Sequence, residues 1–288
     1  MSKYSKIVSI LLDSLPHIKL FNGSTMVIKY GGAAQINPNL KEQFAIDIVM
    51  LYMLGIKPII VHGGGKRITE LLDLLQIQSE FVDGHRVTTS EAMKVVEMVL
   101  AGEINKELSA FLNYHGIKAV GISGKDSNLL QGCPKDDGKL GFVGEIAHVE
   151  PQILHQLQNG GFVPIIAPIA ASNEVHHPGF NINADTAASA IAKALKAKKV
   201  LFLTDTRGVL DADGALIQSL DVADVERLKK SRVISGGMIP KVDACIDCVQ
   251  AGVEKAHIID GRVEHALLLE LFTSSGIGTE IVAHKGEA

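Results

Sequence analysis

The sequence predicts an α/β fold: a mainly parallel sheet covered on both faces by helices. Short apolar runs recur along the chain, MVIKY at 26–30, KPIIVH at 57–62, FVPIIAPI at 162–169 and KVLFLTD at 199–205. Stretches with helical spacing of apolar residues lie between them. Glycines fall where the strands should end, at Gly31-Gly32, Gly63-Gly64-Gly65, Gly121 and Gly124. In parallel sheets ligands sit beyond those carboxyl ends.

In chain order, residues 4–15 place Tyr4, Ile7, Val8, Leu11, Leu12 and Leu15 on one stripe of a helix. Pro16 is expected to limit that helix before Asn22-Gly23 turns the chain. The stripe must be covered by the chain's own body or by another subunit. Strand 26–30 leads to an amphipathic helix over 39–54, and strand 57–62 to a helix over about 66–76. A long helix covers about 90–115, KAVGISG (118–124) is a strand and loop, and the polar, glycine-rich 131–145 suggests a hairpin. Helices are expected at 151–159, 184–197, 220–230 and 240–252, with KAHIIDG (255–261) and TEIV (279–282) as closing strands. A change near residue 175 divides the body into lobes 23–175 and 176–288 that share one sheet, preceded by the helix within 1–22.

With 288 residues, 47% of them hydrophobic, the chain can close a large core. Its net charge of -4, from 28 basic and 32 acidic residues, argues against a nucleic-acid surface. The run Lys193, Lys196, Lys198 and Lys199 reads as a helix end, where cations suit the dipole and solubility. No apolar run reaches membrane length and no leader pattern opens the chain, so a cytoplasmic protein is expected. Three cysteines make no disulfide framework. Cys245 and Cys248 stand one turn apart in a helix, without the second pair or close histidine that zinc would need.

Several groups point to phosphate chemistry. Lys29 lies near the end of a buried strand, beside Gly31 and Gly32, where alternation of side chains lets it emerge at the ligand edge. Gly63, Gly64 and Gly65 lead into a helix that opens with Lys66 and Arg67, a second candidate cradle for an anion. Neither loop has the spacing of a P-loop or of a dinucleotide fingerprint, and either alone is also readable as a turn. Asp185 opens the Ala-rich helix and reads as a cap or first-turn acid, or as a group orienting cations. Lys241 follows Pro240 at a helix start, where the dipole disfavours a cation unless an anion compensates. Arg86 offers a fork for a carboxylate, or for a surface ion pair. Asp205 ends a strand and is positioned for a nucleotide or magnesium; Asp211 and Asp213 read as turn residues. His62 reads as a packed residue and His176-His177-Pro178 as a loop. Met93, Val96 and Leu100 read as core or interface. Two lysines, two glycine loops and an aspartate suit phosphoryl transfer, and an acceptor that is already a carboxylate needs no general base.

IKYGG (28–32), IVHGGGKRI (60–68), DGHRVT (83–88), VEMVLAGEINKEL (96–108), GISGKD (121–126), NINADTAA (181–188), LTDTRGVL (203–210) and GGMIPKV (236–242) together resemble the amino acid kinase family. The segments span nearly the whole chain. VEMVLAG with INK, and the NINAD element, separate it from aspartate, uridylate and carbamate kinases and place the resemblance with the members that act on acetylglutamate. The resemblance implies the amino acid kinase fold, an open three-layer sandwich, with acyl substrate on the lobe 23–175, which also dimerises, and MgATP on the lobe 176–288. It implies ATP-dependent phosphorylation of the side-chain carboxylate of N-acetyl-L-glutamate, in arginine biosynthesis. By position Lys29 and Lys241 would stabilise the transferring group and Asp185 would organise both. Gly31, Gly32, Gly63 and Gly64 would face phosphate, with Gly64, Gly65, Arg86 and Asn181 on the acyl substrate. Asp205, Gly236, Gly237 and Met238 would face the nucleotide. ATP and Mg2+ are the implied cofactors, with no protein ligand of the metal assigned.

Arginine-inhibited members carry an extra N-terminal helix that links dimers into a hexamer, a trimer of dimers. The stripe at 4–15 and the segment 257–280 resemble theirs, which implies an effector site for arginine near His257, Glu270 and Gly276. Members from photosynthetic organisms are also bound by a PII signalling protein. A kinase for a different acid, or an arginine or nucleotide sensor without turnover, fits many of the same residues; Arg86 with Asn181 favours an amino-acid-like carboxylate.

Overall fold

The computed structural model describes residues 3–82 and 84–284, with the side chains of residues 3–7 and 10 outside that description. Tyr4 and Ile7 of the N-terminal stripe, and Asp83 of the DGHRVT segment, therefore lie outside the described side chains or residues. Eight strands make one sheet: β1 Thr25–Tyr30, β2 Lys57–His62, β3 Ala119–Ser123, β4 Val163–Ala167, β5 Lys199–Thr204, β6 Ser219–Asp221, β7 Lys255–Asp260 and β8 Thr279–Val282. Their order is β6-β8-β7-β5-β1-β2-β4-β3. Neighbours run parallel except β7 and β8, so the expected mainly parallel sheet is present with a reversed pair at one edge.

The helices are α1 Lys3–Phe21, α2 Pro38–Met53, α3 Gly65–Leu74, α4 Ser90–Glu97, α5 Asn105–Tyr114, α6 Gln152–Asn159, α7 Ala184–Ala194, α8 Val222–Lys230, α9 Ile239–Gln250 and α10 Ala266–Phe272. Alternation along the central strand sorts the layers. Met26, Ile28 and Tyr30 of β1 pack in a core with Phe44 and Ile48 of α2, Leu112 of α5 and Leu271 of α10. Val27 faces the other way, into a core with Ala187 and Ile191 of α7 and Val242 and Ile246 of α9. That is a sheet between two helical layers, and it puts Lys29, two residues after Val27, on the α7/α9 side. The polar 131–145 excursion is a hairpin, with Leu130–Pro134 antiparallel to Gly144–Val149. No helix among the described residues is long and apolar enough to cross a membrane.

Four expectations need correction. Helix α1 passes through Pro16 and ends at Phe21. The proline removes one backbone donor, but Phe21 is buried and meets Phe272 of α10 edge-on at 6.2 Å, so packing holds the last turn. Lys199 does not decorate a helix end: α7 stops at Ala194 and Lys199 opens β5, 8% exposed, with Nζ 2.9 Å from His257 Nε2. The helix expected from residue 220 starts at Val222, because Ser219–Asp221 pairs with β8 and Asp221 then caps α8. The long 90–115 helix is unbroken from Ser90 to Tyr114 but wound as a π-helix over Met98–Ile104, between α4 and α5.

Helix α10 was hidden in the apolar run ALLLELF and depends on a distant cap. Its N-terminus has no side-chain cap of its own, and His265 before it is left-handed at φ 55°. Asp47 of α2 reaches across instead, accepting from Leu267 N at 3.3 Å and lying 2.7 Å from His265 Nδ1. Burial pushes the Asp47 carboxyl up to about 6, against the pull of His265. Asp47→Ala leaves these donors without their acceptor and should cost about 1–3 kcal/mol of stability. Urea unfolding measures the loss, and faster amide exchange confined to α10 would locate it.

Candidate active site

The strands around β1 all end at one edge of the sheet, where their glycines follow. Lys29 projects there toward the α7/α9 layer. Asn183 caps α7 by accepting from Asp185 N and Thr186 N, so its neighbour Asp185 keeps its carboxylate for longer-range contacts. Pro240 stands in the first turn of α9 and Lys241 follows it. The three side chains meet: Asp185 Oδ2 accepts from Lys241 Nζ at 2.7 Å, and Asp185 Oδ1 lies 3.1 Å from Lys29 Nζ. The second contact has ion-pair distance without hydrogen-bond alignment. Burial alone would raise the Asp185 carboxyl, yet the two ammonium groups hold it below the usual carboxylate range. The conflict between Lys241 and its helix dipole is thus resolved by Asp185.

These groups line a cleft of about 780 Å³ together with Gly31, Gly32, Gly63, Gly64, Gly65 and Asp205. Gly32 needs its freedom: its φ is +67°, and a side chain there would run into the Asp205 carboxylate, which accepts from Ala33 N at 2.7 Å. A side chain on Gly64 would collide with Leu100 and Ile104, which the π-helical turn presents to it. An adjoining chamber of about 440 Å³ shares Gly63, Gly64 and Gly65 with the cleft and is lined by Arg86 and Asn181. Arg86 is buried, donating to Ser79 Oγ at 2.6 Å, Thr69 Oγ1 at 2.6 Å and Gly65 O at 3.1 Å, with its guanidinium 4.5 Å from the Phe81 ring centroid. Asn181 Nδ2 donates to Thr88 Oγ1, whose hydroxyl donates to Arg86 O, so the two candidate ligands share a support.

Gly236, Gly237 and Met238 form the turn that precedes α9, outside the lining of both cavities. Asp211 is a turn residue as expected, accepting from Asp213 N and Ala215 N. His177 accepts from Gly179 N in its loop. Cys245 and Cys248 are buried thiols that burial pushes up, Cys248 to about 11. Away from the cleft, His257 Nδ1 lies 2.7 Å from Glu270 Oε1, while Glu270 Oε2 accepts from Ile277 N and Gly278 N and crowds Gly276. Lys199 and Phe21 complete that cluster, with Lys199 Nζ 5.2 Å from the Phe21 ring centroid. The sequence reading missed both, although a lysine opening a strand of buried residues was a signal.

Beneath the second glycine loop, His62 is fully buried. Its Nδ1 lies 3.0 Å from Gly63 O and its Nε2 3.1 Å from Asn105 Nδ2. A carbonyl on one side and an amide donor on the other assign the neutral ring with hydrogen on Nδ1. Burial pulls its pKa down to about 4. Between there and about 6.5 the unfolded chain binds a proton that the folded one refuses, so stability falls as pH falls through that window. The stability difference between wild type and His62→Gln should therefore shrink by up to about 3 kcal/mol from pH 7 to pH 4. Using the difference cancels the opposite slope from Asp47, and a pH-independent difference would refute the assignment.

The amino acid kinase family model matches residues 24–260. An acetylglutamate kinase from Wolinella succinogenes is 71% identical over 98% of this chain and 99% of its own length. Among solved structures, N-acetylglutamate synthase from Neisseria gonorrhoeae complexed with coenzyme A and N-acetyl-glutamate has a TM-score of 0.84 at 25% identity, over 97% of this chain and 64% of that longer one. The same synthase complexed with coenzyme A and L-arginine has a TM-score of 0.80 at 23% identity, over 96% of this chain and 65% of that one. The paired lysines, the glycine loops and the sheet order thus occur on a chain that belongs to the amino acid kinase family, in its acetylglutamate kinase branch.

Proposed function

We propose that this chain phosphorylates the side-chain carboxylate of N-acetyl-L-glutamate with ATP, yielding the acyl phosphate and ADP in arginine biosynthesis. The observation that carries the reading is one carboxylate, Asp185, holding two ammonium groups beside two glycine loops at the sheet edge. A carboxylate oxygen of the acceptor attacks the γ-phosphorus, the bond to the β–γ bridging oxygen breaks, and its electron pair leaves with ADP. No proton moves at the attacking atom. Charge spreads over the phosphoryl oxygens in the transition state, where Lys29, Lys241 and the N–H groups of the glycine loops supply fixed positive charge. Asp185 stays ionised and positions the lysines; it is not a base. Arg86 and Asn181 take the substrate's α-carboxylate in the side chamber, and the turn 236–238 with Asp205 takes the nucleotide. This division puts acyl substrate on residues 23–175, apart from Asn181, and nucleotide on residues 176–288.

Among the described residues no group of three or more His, Cys, Asp or Glu side chains is arranged to hold a metal, and the Asp185 oxygens face lysines. The residues fit magnesium carried on the nucleotide's phosphates, the usual mode for this strongly hydrated ion. Bound there it would neutralise phosphate charge.

Arginine is proposed as an inhibitor at the cluster of His257, Glu270 and Gly276, extended by Lys199 and Phe21. Burial opposes ionisation of Glu270, but His257 and two backbone donors hold its carboxyl below the usual range, leaving an anion suited to a guanidinium. The related synthase solved with L-arginine supports the same ligand. Val8, Leu11, Leu12 and Leu15 on α1 are exposed in the single chain, which supports association through that helix into a hexamer.

Trapping the acyl phosphate with hydroxylamine tests the reaction: product from MgATP with N-acetyl-L-glutamate, and none with glutamate, aspartate or N-acetyl-aspartate. Lys29→Ala and Lys241→Ala should each lower kcat by about 10²-fold or more with the fold intact by circular dichroism. Folded, ATP-binding protein that makes no product would refute the substrate. Arginine should suppress turnover, and Glu270→Gln should raise the half-inhibiting concentration by about tenfold, in line with weakening one charge-assisted contact.

A further inference from the structure

The two glycine loops of the cleft are joined by a side chain that none of the roles above uses. Gln35 is half-buried at the end of the short 3-10 turn Gly32–Gln35. Its amide nitrogen donates to Tyr30 O at 3.1 Å and to Gly63 O at 3.1 Å. Both partners are carbonyls, so the amide can stand only with nitrogen toward them, and both of its hydrogens are used. Each carbonyl also has a second donor: Gly63 N to Tyr30 O at 3.0 Å, and His62 Nδ1 to Gly63 O at 3.0 Å. Asn105 holds His62 from behind, and its amide also reaches Ile122 O and Ile165 O at the neighbouring strands.

We infer that Gln35 is a positioning residue for phosphoryl transfer, which fixes the peptide plane carrying the Gly64 N–H and sets the spacing between the two glycine loops. The inference rests on the kinase reading and deepens it. A trans peptide is planar, with its carbonyl and the following N–H on opposite sides. Pinning the Gly63 oxygen to Gln35 and His62 therefore directs the Gly64 N–H away from both. Among the described residues no protein acceptor takes that N–H, and Gly64 lines both the main cleft and the Arg86 chamber. The Tyr30 oxygen, held by the same nitrogen, ties the loop after Lys29 to this plane. Loss of Gln35 leaves each carbonyl one donor, so the fold survives while the plane gains freedom. A donor that drifts from where charge develops stabilises the transition state less than the ground state suggests.

Steady-state kinetics of the full chain, read by acyl phosphate formation at pH 5.5 to 8 with thermal midpoints alongside, test this. Gln35→Met keeps the length and removes both donors; its kcat should fall about tenfold, with KM for MgATP within about twofold and an unchanged thermal midpoint. Gln35→Glu turns an acceptor toward two carbonyls at neutral pH and should be slower than Gln35→Met there. As pH falls and its carboxyl gains a proton, one donor returns, and the rate of Gln35→Glu relative to Gln35→Met should rise. Wild-type kcat in folded Gln35→Met, or a loss confined to the thermal midpoint, overturns the inference. Should Gln35→Met fail to fold, the pH profile of Gln35→Glu against wild type decides, and a flat ratio overturns it. Wild-type protein that makes no acyl phosphate would instead refute the kinase reading and this inference with it.

Discussion

The Asp185 carboxylate is the contact around which the rest of the site is arranged. Two ammonium groups on separate elements repel unless an anion stands between them, and a unit pair at about 4 Å is worth about 4 kcal/mol at an effective dielectric near 20, before desolvation and exposure reduce it. One carboxylate against two ammonium groups leaves a unit of positive charge at the sheet edge, suited to an incoming phosphate. The geometry requires Lys29 to share the strand face of Val27, Asn183 to cap α7, and α9 to carry Pro240 in its first turn. The two lysines more than offset the effect of burial on Asp185 and hold its carboxyl below the usual carboxylate range. Its role is electrostatic, which agrees with an acceptor that brings its own negative charge.

Most of the strand positions and the three charged residues were legible in the sequence, for different reasons. Strands such as KVLFLT are buried on both faces, so short apolar runs rich in residues suited to strands mark them. Lys29 and Lys241 broke local rules, a charge in a buried strand and a cation at a helix start, and such conflicts mark functional positions. What stayed hidden depends on partners distant in sequence. Gln35 gains its meaning from Gly63, and Asn105 from His62 and two neighbouring strands. Lys199 looked like part of a solvated run because it follows Lys193, Lys196 and Lys198, while the neighbouring strand supplies the His257 that receives it. The proline in α1 misled for the same reason: a local penalty of about 3 kcal/mol is smaller than what burial of a phenylalanine against another and the packing around it can offset.

The π-helical turn shows how backbone irregularity serves the site. Its extra residue per turn delivers Leu100 and Ile104 against Gly64 from one side and leaves Asn105 facing His62 from the other. The second glycine loop is therefore clamped between an apolar wall and a polar network. A glycine at position 64 is required by the wall, whatever its role toward phosphate.

Helix α2 joins this rigid edge to the cluster around Glu270. Its cap, Asn37, follows Gln35 by two residues, so α2 begins where the first glycine loop ends. Farther along, Asp47 of the same helix holds the start of α10, the helix that carries Glu270 and meets α1 through Phe272 and Phe21. A shift of α10 must either strip Asp47 of its donors, at about 1–3 kcal/mol for a buried acceptor, or carry α2 along. Close-packed layers offer little room for a third outcome. Because Phe44 and Ile48 of α2 lie in the same core as Met26 and Ile28 of β1, movement of α2 loads the strand that presents Lys29. The α1–α10 contact and the strand that presents Lys29 thus share one core through α2, whose buried Asp47 caps α10 and whose start follows the loop that ends in Gln35.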